Sequence, residues 1–202
     1  MDGQLHIIST GQQSIDTFST IVARIHEMVD AIHIREKTWT AIEMIEAVDA
    51  LVRQGVPLQK IIINDRVDVA YVMGTGGVQL AHHSIDVLCV KRHFPSLQVG
   101  CSVHSVAEAV EAEAAGANYV LYGHIFPTRS KPGLPPKGLQ QLSQLVQHVR
   151  VPVMAIGGMT PERTSDVLEA GAHGIAVLSG VLLADHPQKA VQDYVKALQR
   201  RR

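Results

Sequence analysis

The sequence predicts a closed (β/α)8 TIM barrel, and two observations lead to this fold. Eight short apolar runs recur at even spacing along the 202 residues, and several are apolar at consecutive positions, as buried parallel strands are. Helical patterns separate these runs without a break in composition or a low-complexity linker. A flavodoxin-like open sheet is the alternative, but it leaves two or three strands without a place. We therefore expect a single domain over residues 1–202.

The predicted strands follow one another along the whole chain. In order they are LHIIS from Leu5, AIHIR from Ala31, KIIIN from Lys60, GVQL from Gly77, LQVGCS from Leu97, YVLYG from Tyr119, VPVMAIG from Val151 and GIAVLS from Gly174.

Between the strands, start and stop signals predict helices. Thr40 to Glu43 and Ser105 to Glu108 are capping boxes, and Thr160 precedes a proline at the first helical position. Glycines stand where helices should end, and one apolar stripe with spacings of three and four is expected to face the sheet. The glycines are Gly55, Gly116 and Gly171, and the stripe is Ile42, Ile45, Val48, Leu51 and Val52.

Composition excludes several classes of function. A net charge of −1 and 4% aromatic residues argue against a nucleic acid partner. We interpret Arg200 to Arg202 as a solvated helix end. The chain has no apolar run of the ~18 residues that a membrane span requires, and its first residues do not resemble an export signal. Two cysteines, Cys89 and Cys101, suit a reducing cytoplasm, and we expect both to be small core residues.

In a barrel of this kind, residues at the carboxyl ends of the strands line the active-site mouth. This position selects Arg35, Glu36, Lys37, Asn64, Asp65, His82, His83, Ser102, His104, residues 124–131, Gly157, Gly158 and Ser179. Gly157 and Gly158 precede a capped helix, and Ser179 opens the next one, so their N–H groups outline a phosphate site. A simple tight turn is the alternative for the glycine pair.

Charged residues and histidines also fall at the expected mouth. Arg35 and Lys37 could hold a carboxylate or a diphosphate, although charge clusters are also ordinary surface features. Five histidines lie on this side: His33, His82, His83, His104 and His124. A metal cluster is disfavoured, because adjacent residues such as His82 and His83 point in opposite directions in an extended chain. We expect these two to be exposed loop residues.

A series of motifs resembles the thiamin phosphate synthase superfamily from the second strand onward. They are IHIREK, IIINDRVDVAYVMGTGGVQL, VGCSVHS, YVLYGHIFPTRSKPG, VPVMAIGGMTPE and GIAVLSG. Within the superfamily the chain looks like the TenI-type thiazole tautomerase. It has His33 for a glutamine of the synthase motif, Ser84 for its second magnesium aspartate, and His124 for a proline. Asn64 and Asp65 keep the Asn-Asp of the synthase.

The tautomerase resemblance implies an isomerase of thiamin biosynthesis that aromatises a carboxythiazole phosphate by proton transfer, without a metal or cofactor. His124 would be the catalytic acid/base. The substrate-binding residues would be Arg35, Lys37, Ser102, His104, Thr128, Ser130 and Lys131, and the phosphate-binding residues Gly157, Gly158, Leu178 and Ser179. The alternatives are a magnesium-dependent thiamin phosphate synthase, a non-catalytic thiazole phosphate-binding regulator, and a phosphosugar isomerase. The partner expected is a small phosphorylated thiazole carboxylate, with a homodimer as the candidate assembly.

Overall fold

The computed structural model describes residues 3–199 and has a closed barrel at its centre. All neighbouring strands are parallel and paired in chain order, and the ring closes because β1 also pairs with β8. The predicted (β/α)8 barrel is therefore confirmed. The strands are β1 Gln4–Ile8, β2 Ala31–Ile34, β3 Ile61–Asn64, β4 Gly77–Leu80, β5 Val99–Val103, β6 Tyr119–Gly123, β7 Val153–Ile156 and β8 Gly174–Val177.

Helices surround the barrel in the described part of the chain, and two short 3-10 turns lie at His26–Met28 and Leu58–Lys60. The α-helices are α1 Ile15–Ala23, α2 Ala41–Arg53, α3 Val67–Met73, α4 Val87–His93, α5 Val106–Ala114, α6 Gly138–His148, α7 Pro161–Glu169, α8 Ser179–Leu182 and α9 Pro187–Gln199. Among residues 3–199 no helix is long and apolar enough to cross a membrane. The predicted helix end at Arg200 to Arg202 lies outside the described residues.

The local signals that predict helices are largely confirmed. Thr40 and Glu43 exchange both hydrogen bonds of a capping box at α2. At α5, Ser105 accepts from the Glu108 N–H, but the Glu108 carboxylate accepts from the His104 N–H instead of closing the box. Gly55, Gly116 and Gly171 follow α2, α5 and α7 with positive φ, as predicted.

Two burial predictions are wrong in part. The buried residues of α2 are Met44, Ala47, Val48 and Leu51, whereas Ile42 is 69% and Val52 42% exposed. The buried face of α2 is therefore rotated about the helix axis from the predicted stripe. The prediction did not include Met44 and Ala47, which both lie on the buried face. Cys101 packs against the core as expected, but Cys89 is exposed on the outer side of α4.

Alternate residues of each strand face opposite sides of the barrel wall. One set, which includes Ile7, Ile32 and Ile63, forms a continuous core with the helices. The other set lies inside the barrel, where Ile8, Leu121, Met154 and Ala176 form a separate apolar cluster. Side chains that continue this inner set beyond the strand ends are thereby aimed into the mouth.

Candidate active site

The ends of β1 and β2 are tied together beneath two of the predicted cationic residues. The Arg35 N–H donates to the buried Ser9 hydroxyl at 2.8 Å, and the Gly11 N–H donates to Glu36 at 3.1 Å. Glu36 is itself 6% exposed, whereas Lys37 lies in the exposed loop beyond it. This arrangement fixes the backbone from which Arg35 extends and leaves Lys37 free to reach an anion.

Asn64 and Asp65 end β3 in a strained turn. Asp65 has a φ of +68°, which is uncommon for a residue other than glycine, and its N–H donates to the Gln79 carbonyl at 2.9 Å. Its carboxylate is half exposed and lies 4.0 Å from the His83 ring. Local backbone strain of this kind persists where the surrounding structure enforces it, often at functional sites.

The loop after β4 supplies no second carboxylate to this corner. The Ser84 hydroxyl accepts from the Ala81 N–H at 2.8 Å, and Asp86 caps α4 by accepting from the Cys89 N–H at 3.1 Å. His82 and His83 are exposed, as predicted. Among residues 3–199 no three histidine, cysteine, aspartate or glutamate residues are grouped so that they could hold a metal ion.

These residues nevertheless fit a magnesium ion that is shared with a ligand. Magnesium is commonly bound through one or two carboxylates while substrate phosphates and water complete its coordination. Asp65 supplies a carboxylate at this corner, and Asn64 precedes it as the last residue of β3. A permanent site built from protein ligands alone would need more donors than this corner provides.

The end of β5 presents Ser102 and His104 to the mouth. The Ser102 hydroxyl accepts from Gln79 Nε2 at 3.0 Å. The His104 ring donates from Nδ1 to Glu108 at 3.3 Å, which leaves Nε2 as an acceptor 3.4 Å from the Lys131 ammonium. Burial raises the pKa of Glu108, but the hydrogen bonds from the His104 backbone and ring outweigh it and lower the pKa overall.

The loop between β6 and α6 folds over the mouth and carries the remaining predicted side chains. His124 is 6% exposed, and its Nε2 donates to the Leu134 carbonyl at 3.2 Å. Within the loop the Ser130 N–H donates to the Thr128 hydroxyl at 3.3 Å, and the Lys131 N–H donates to the Thr128 carbonyl. Thr128, Ser130 and Lys131 therefore form one turn, tied to β5 through His104.

Gly157 and Gly158 follow β7 beside that loop and have φ values of +98° and +66°. A Cβ at Gly157 would overlap the Cβ of His124, and one at Gly158 would overlap the Pro127 carbonyl and Phe126. The glycines thus allow the loop from β6 to approach the end of β7. Arg163 of α7 reinforces this contact, because its guanidinium donates to the Gly158 carbonyl at 2.6 Å and stacks 4.7 Å above the Phe126 ring.

The end of β8 completes this side of the mouth. Leu178 precedes the single turn of α8, and Ser179 begins it with an exposed side chain. The structure thus brings two groups together, the β6 loop with Gly157 and Gly158, and His104 with Lys131. His33 is not at the mouth: it is fully buried inside the barrel, where its Nε2 lies 3.1 Å from His6.

Three residues that contact the site were missed by sequence reasoning. They are Gln79, Glu108 and Arg163. Glu108 could have been found, since a capping glutamate lies one helical turn after His104. Gln79 has a weaker signal, a single amide in the otherwise apolar run GVQL.

The closed barrel with polar and glycine-rich strand ends defines a (β/α)8-barrel protein with its candidate site at the carboxyl face. The model of the family described as thiamine monophosphate synthase matches residues 5–181. The chain belongs to this family.

Individual relatives agree with the family match. The thiamine-phosphate synthase of Pyrococcus furiosus is 39% identical over 137 residues, which are 68% of this chain and 66% of that relative. The corresponding protein of Roseiflexus castenholzii is 37% identical over 190 residues, 91% of this chain and 81% of the relative. The solved thiamine phosphate pyrophosphorylase of Pyrococcus furiosus superposes with a TM-score of 0.83 at 31% identity, covering 97% of this chain and 95% of that one.

These comparisons correct the predicted activity. Relatives that align over most of the chain are named thiamine-phosphate synthase, so the interpretation as a thiazole tautomerase, and with it the isomerase class, is wrong. The superfamily resemblance and the link to thiamin biosynthesis are supported. The departures at Ser84 and His124 misled the prediction because they were weighed above the motifs that the chain shares with the synthases.

Proposed function

We propose that the chain is a thiamine-phosphate synthase, a transferase that joins a pyrimidine, supplied as its diphosphate, to a thiazole phosphate. The observation that carries the proposal is the family match over residues 5–181 together with Asn64 and Asp65 at the end of β3. The reaction breaks the bond between the methylene carbon attached to the pyrimidine ring and the diphosphate oxygen, and the thiazole nitrogen forms a new bond to that carbon. Negative charge therefore accumulates on the departing diphosphate.

The cationic side of the mouth suits that leaving group. Arg35 and Lys37 follow β2, and Lys131 approaches from the β6 loop, so three side chains can neutralise a diphosphate while Ser102 and His104 orient it. Asp65 and Asn64 would hold a magnesium ion that accompanies the diphosphate and stabilises its charge. Thr128 and Ser130 would bind the ligand from the turn in the β6 loop.

The phosphate of the thiazole would occupy the opposite side, at Gly157, Gly158, Leu178 and Ser179. Gly157 and Gly158 leave their N–H groups unobstructed by side chains, and phosphate sites recur after the last two strands of such barrels. His124 lies against Gly157, between the two regions. His124 was predicted as the acid/base of the tautomerisation, and for the transfer reaction we propose that it holds the loop and faces the ligand.

A second candidate is a protein that binds thiazole phosphate without turnover. It is favoured by Ser84 and Asp86, since the first carries no charge and the second is engaged at the start of α4. A homodimer and a cytoplasmic location remain predictions for either candidate.

The test is release of inorganic diphosphate from the pyrimidine diphosphate in the presence of thiazole phosphate, with thiamine phosphate measured in the same samples. We expect both products in equal amounts, abolition by EDTA and recovery with magnesium. Asp65→Asn should lower the rate by at least ~10²-fold while a matched change away from the mouth, Asp193→Asn, leaves it unchanged. Calorimetric binding of thiazole phosphate with no diphosphate release would instead support the binding protein.

A further inference from the structure

Gln79 lies in the wall of the barrel directly beneath the mouth and has no role in the assignments above. It is 1% exposed and sits in β4 between Asn64 of β3 and Gly100 of β5. Its Nε2 donates to the Ser102 hydroxyl at 3.0 Å. A serine oxygen that accepts this bond still has its own hydrogen, which can be donated elsewhere.

The other end of the Gln79 amide meets a second buried polar group. Gln79 Oε1 and the Tyr119 hydroxyl are both buried without a hydrogen-bond partner among the described residues. A Cβ at Gly100 would overlap both of them, so the two groups are neighbours that share the space left by this glycine. The Tyr119 ring also packs nearly perpendicular to the His6 ring, with 5.7 Å between the ring centroids.

The hydrogen-bond donors near Gly100 favour the orientation in which Gln79 Oε1 lies toward Tyr119 and Nε2 toward Ser102. Burial raises the pKa of Tyr119, so the phenol stays protonated and its hydrogen needs an acceptor. The Gln79 carbonyl oxygen is the acceptor that shares the space at Gly100 with this hydroxyl. With the amide reversed, Nε2 could donate to the phenol oxygen, but the buried phenol hydrogen would then have no acceptor at Gly100, which costs more than an unused lone pair.

We propose that Tyr119 and Gln79 are positioning residues that direct the Ser102 hydroxyl toward an anionic ligand. Tyr119 O–H faces Gln79 Oε1, Gln79 Nε2 donates to Ser102 Oγ, and Ser102 is left to donate its hydrogen into the mouth. The proposal deepens the proposed function, because it takes the diphosphate as the anion that Ser102 contacts. Neither Tyr119 nor Gln79 touches the ligand.

The experiment is a double-mutant cycle on the binding of inorganic diphosphate with magnesium, measured by calorimetry. Ser102→Ala should weaken binding about tenfold, the effect of one lost hydrogen bond to a charged group. Gln79→Met, which keeps the side-chain length, should weaken binding about threefold to tenfold in the wild-type background. It should have no further effect in the Ser102→Ala background, because Gln79 acts through the serine. Gln4→Met, the same change at the amino end of the barrel, should leave the affinity within about twofold.

Equal weakening by Gln79→Met with and without Ser102 would overturn the proposal, as would no weakening at all. If Gln79→Met does not fold, Tyr119→Phe replaces it in the test. Tyr119→Phe should weaken diphosphate binding when Ser102 is present and have no effect in the Ser102→Ala background. Any other result would contradict the proposal. A wild-type chain that neither binds nor releases diphosphate contradicts the proposed function instead. In that case the free energies of unfolding decide: non-additive effects of Gln79→Met and Ser102→Ala support the coupling, and additive effects refute it.

Discussion

At the scale of single residues, Gly157 and His124 share one small volume beside the mouth. A Cβ at Gly157 would overlap the Cβ and Cα of His124, and the φ of +98° is in the range that favours glycine. Gly157→Ala therefore combines backbone strain with a steric clash. We expect it to lower the free energy of unfolding by about 2–5 kcal/mol and to weaken thiazole phosphate binding at least tenfold. Urea unfolding and calorimetry measure the two effects.

Gly133→Ala separates the two causes. Gly133 has a similar φ of +77°, but nothing lies within 4 Å of where its Cβ would be. Its cost should be limited to about 1–2 kcal/mol of backbone strain. If both variants lose the same stability, the close approach of His124 contributes nothing measurable.

At the scale of elements, the β6 loop is fixed by one contact within the loop and by one contact to the end of β5. His124 donates to the Leu134 carbonyl, and Lys131 contacts His104, which Glu108 fixes from α5. His104→Ala removes the second contact, so the loop should open more often. We expect trypsin to cleave after Arg129 several times faster, and mass spectrometry identifies the site. The control His186→Ala changes an exposed histidine far from the loop and should be cleaved at the wild-type rate. Equal rates for the wild type and both variants would show that the contact between Lys131 and His104 does not hold the loop.

The elements themselves were predictable, and the contacts between them were much less so. The eight strands, the Thr40 capping box and the glycine stops follow from local signals in the sequence. When a strand is apolar on both faces, its sequence does not show which residues face the barrel axis. For this reason the prediction placed His33 at the mouth and missed Gln79. The candidate residues at strand ends could be assigned to one face of the barrel because parallel strands all end there; their roles stay predictions.

At the scale of the whole molecule, the barrel interior encloses buried polar side chains beside its apolar cluster. His6 and His33 lie 3.1 Å apart inside it, and they are 6% and 0% exposed. Burial, and secondarily the charge of His173, lowers the pKa of His6 to about 4; burial and then His6 lower the pKa of His33. Both rings are therefore neutral in the folded protein at neutral pH.

This neutral pair makes folding sensitive to mild acid. An unfolded histidine titrates near pH 6.5, so below that pH the unfolded chain binds more protons than the folded one and stability falls with pH. For His6 the loss between pH 6.5 and pH 5 should be about 1.5 kcal/mol, in a window above the titration of most carboxylates, and His33 adds to it. Urea unfolding at half-unit steps of pH measures this slope.

His6→Gln should be less stable at pH 7, yet lose less stability on acidification, because one titrating group is gone from the interior. His186→Gln, which changes an exposed histidine, should keep the wild-type slope. A His6→Gln slope equal to that of the wild type would mean that the buried ring takes up its proton in the folded barrel as readily as in the unfolded chain.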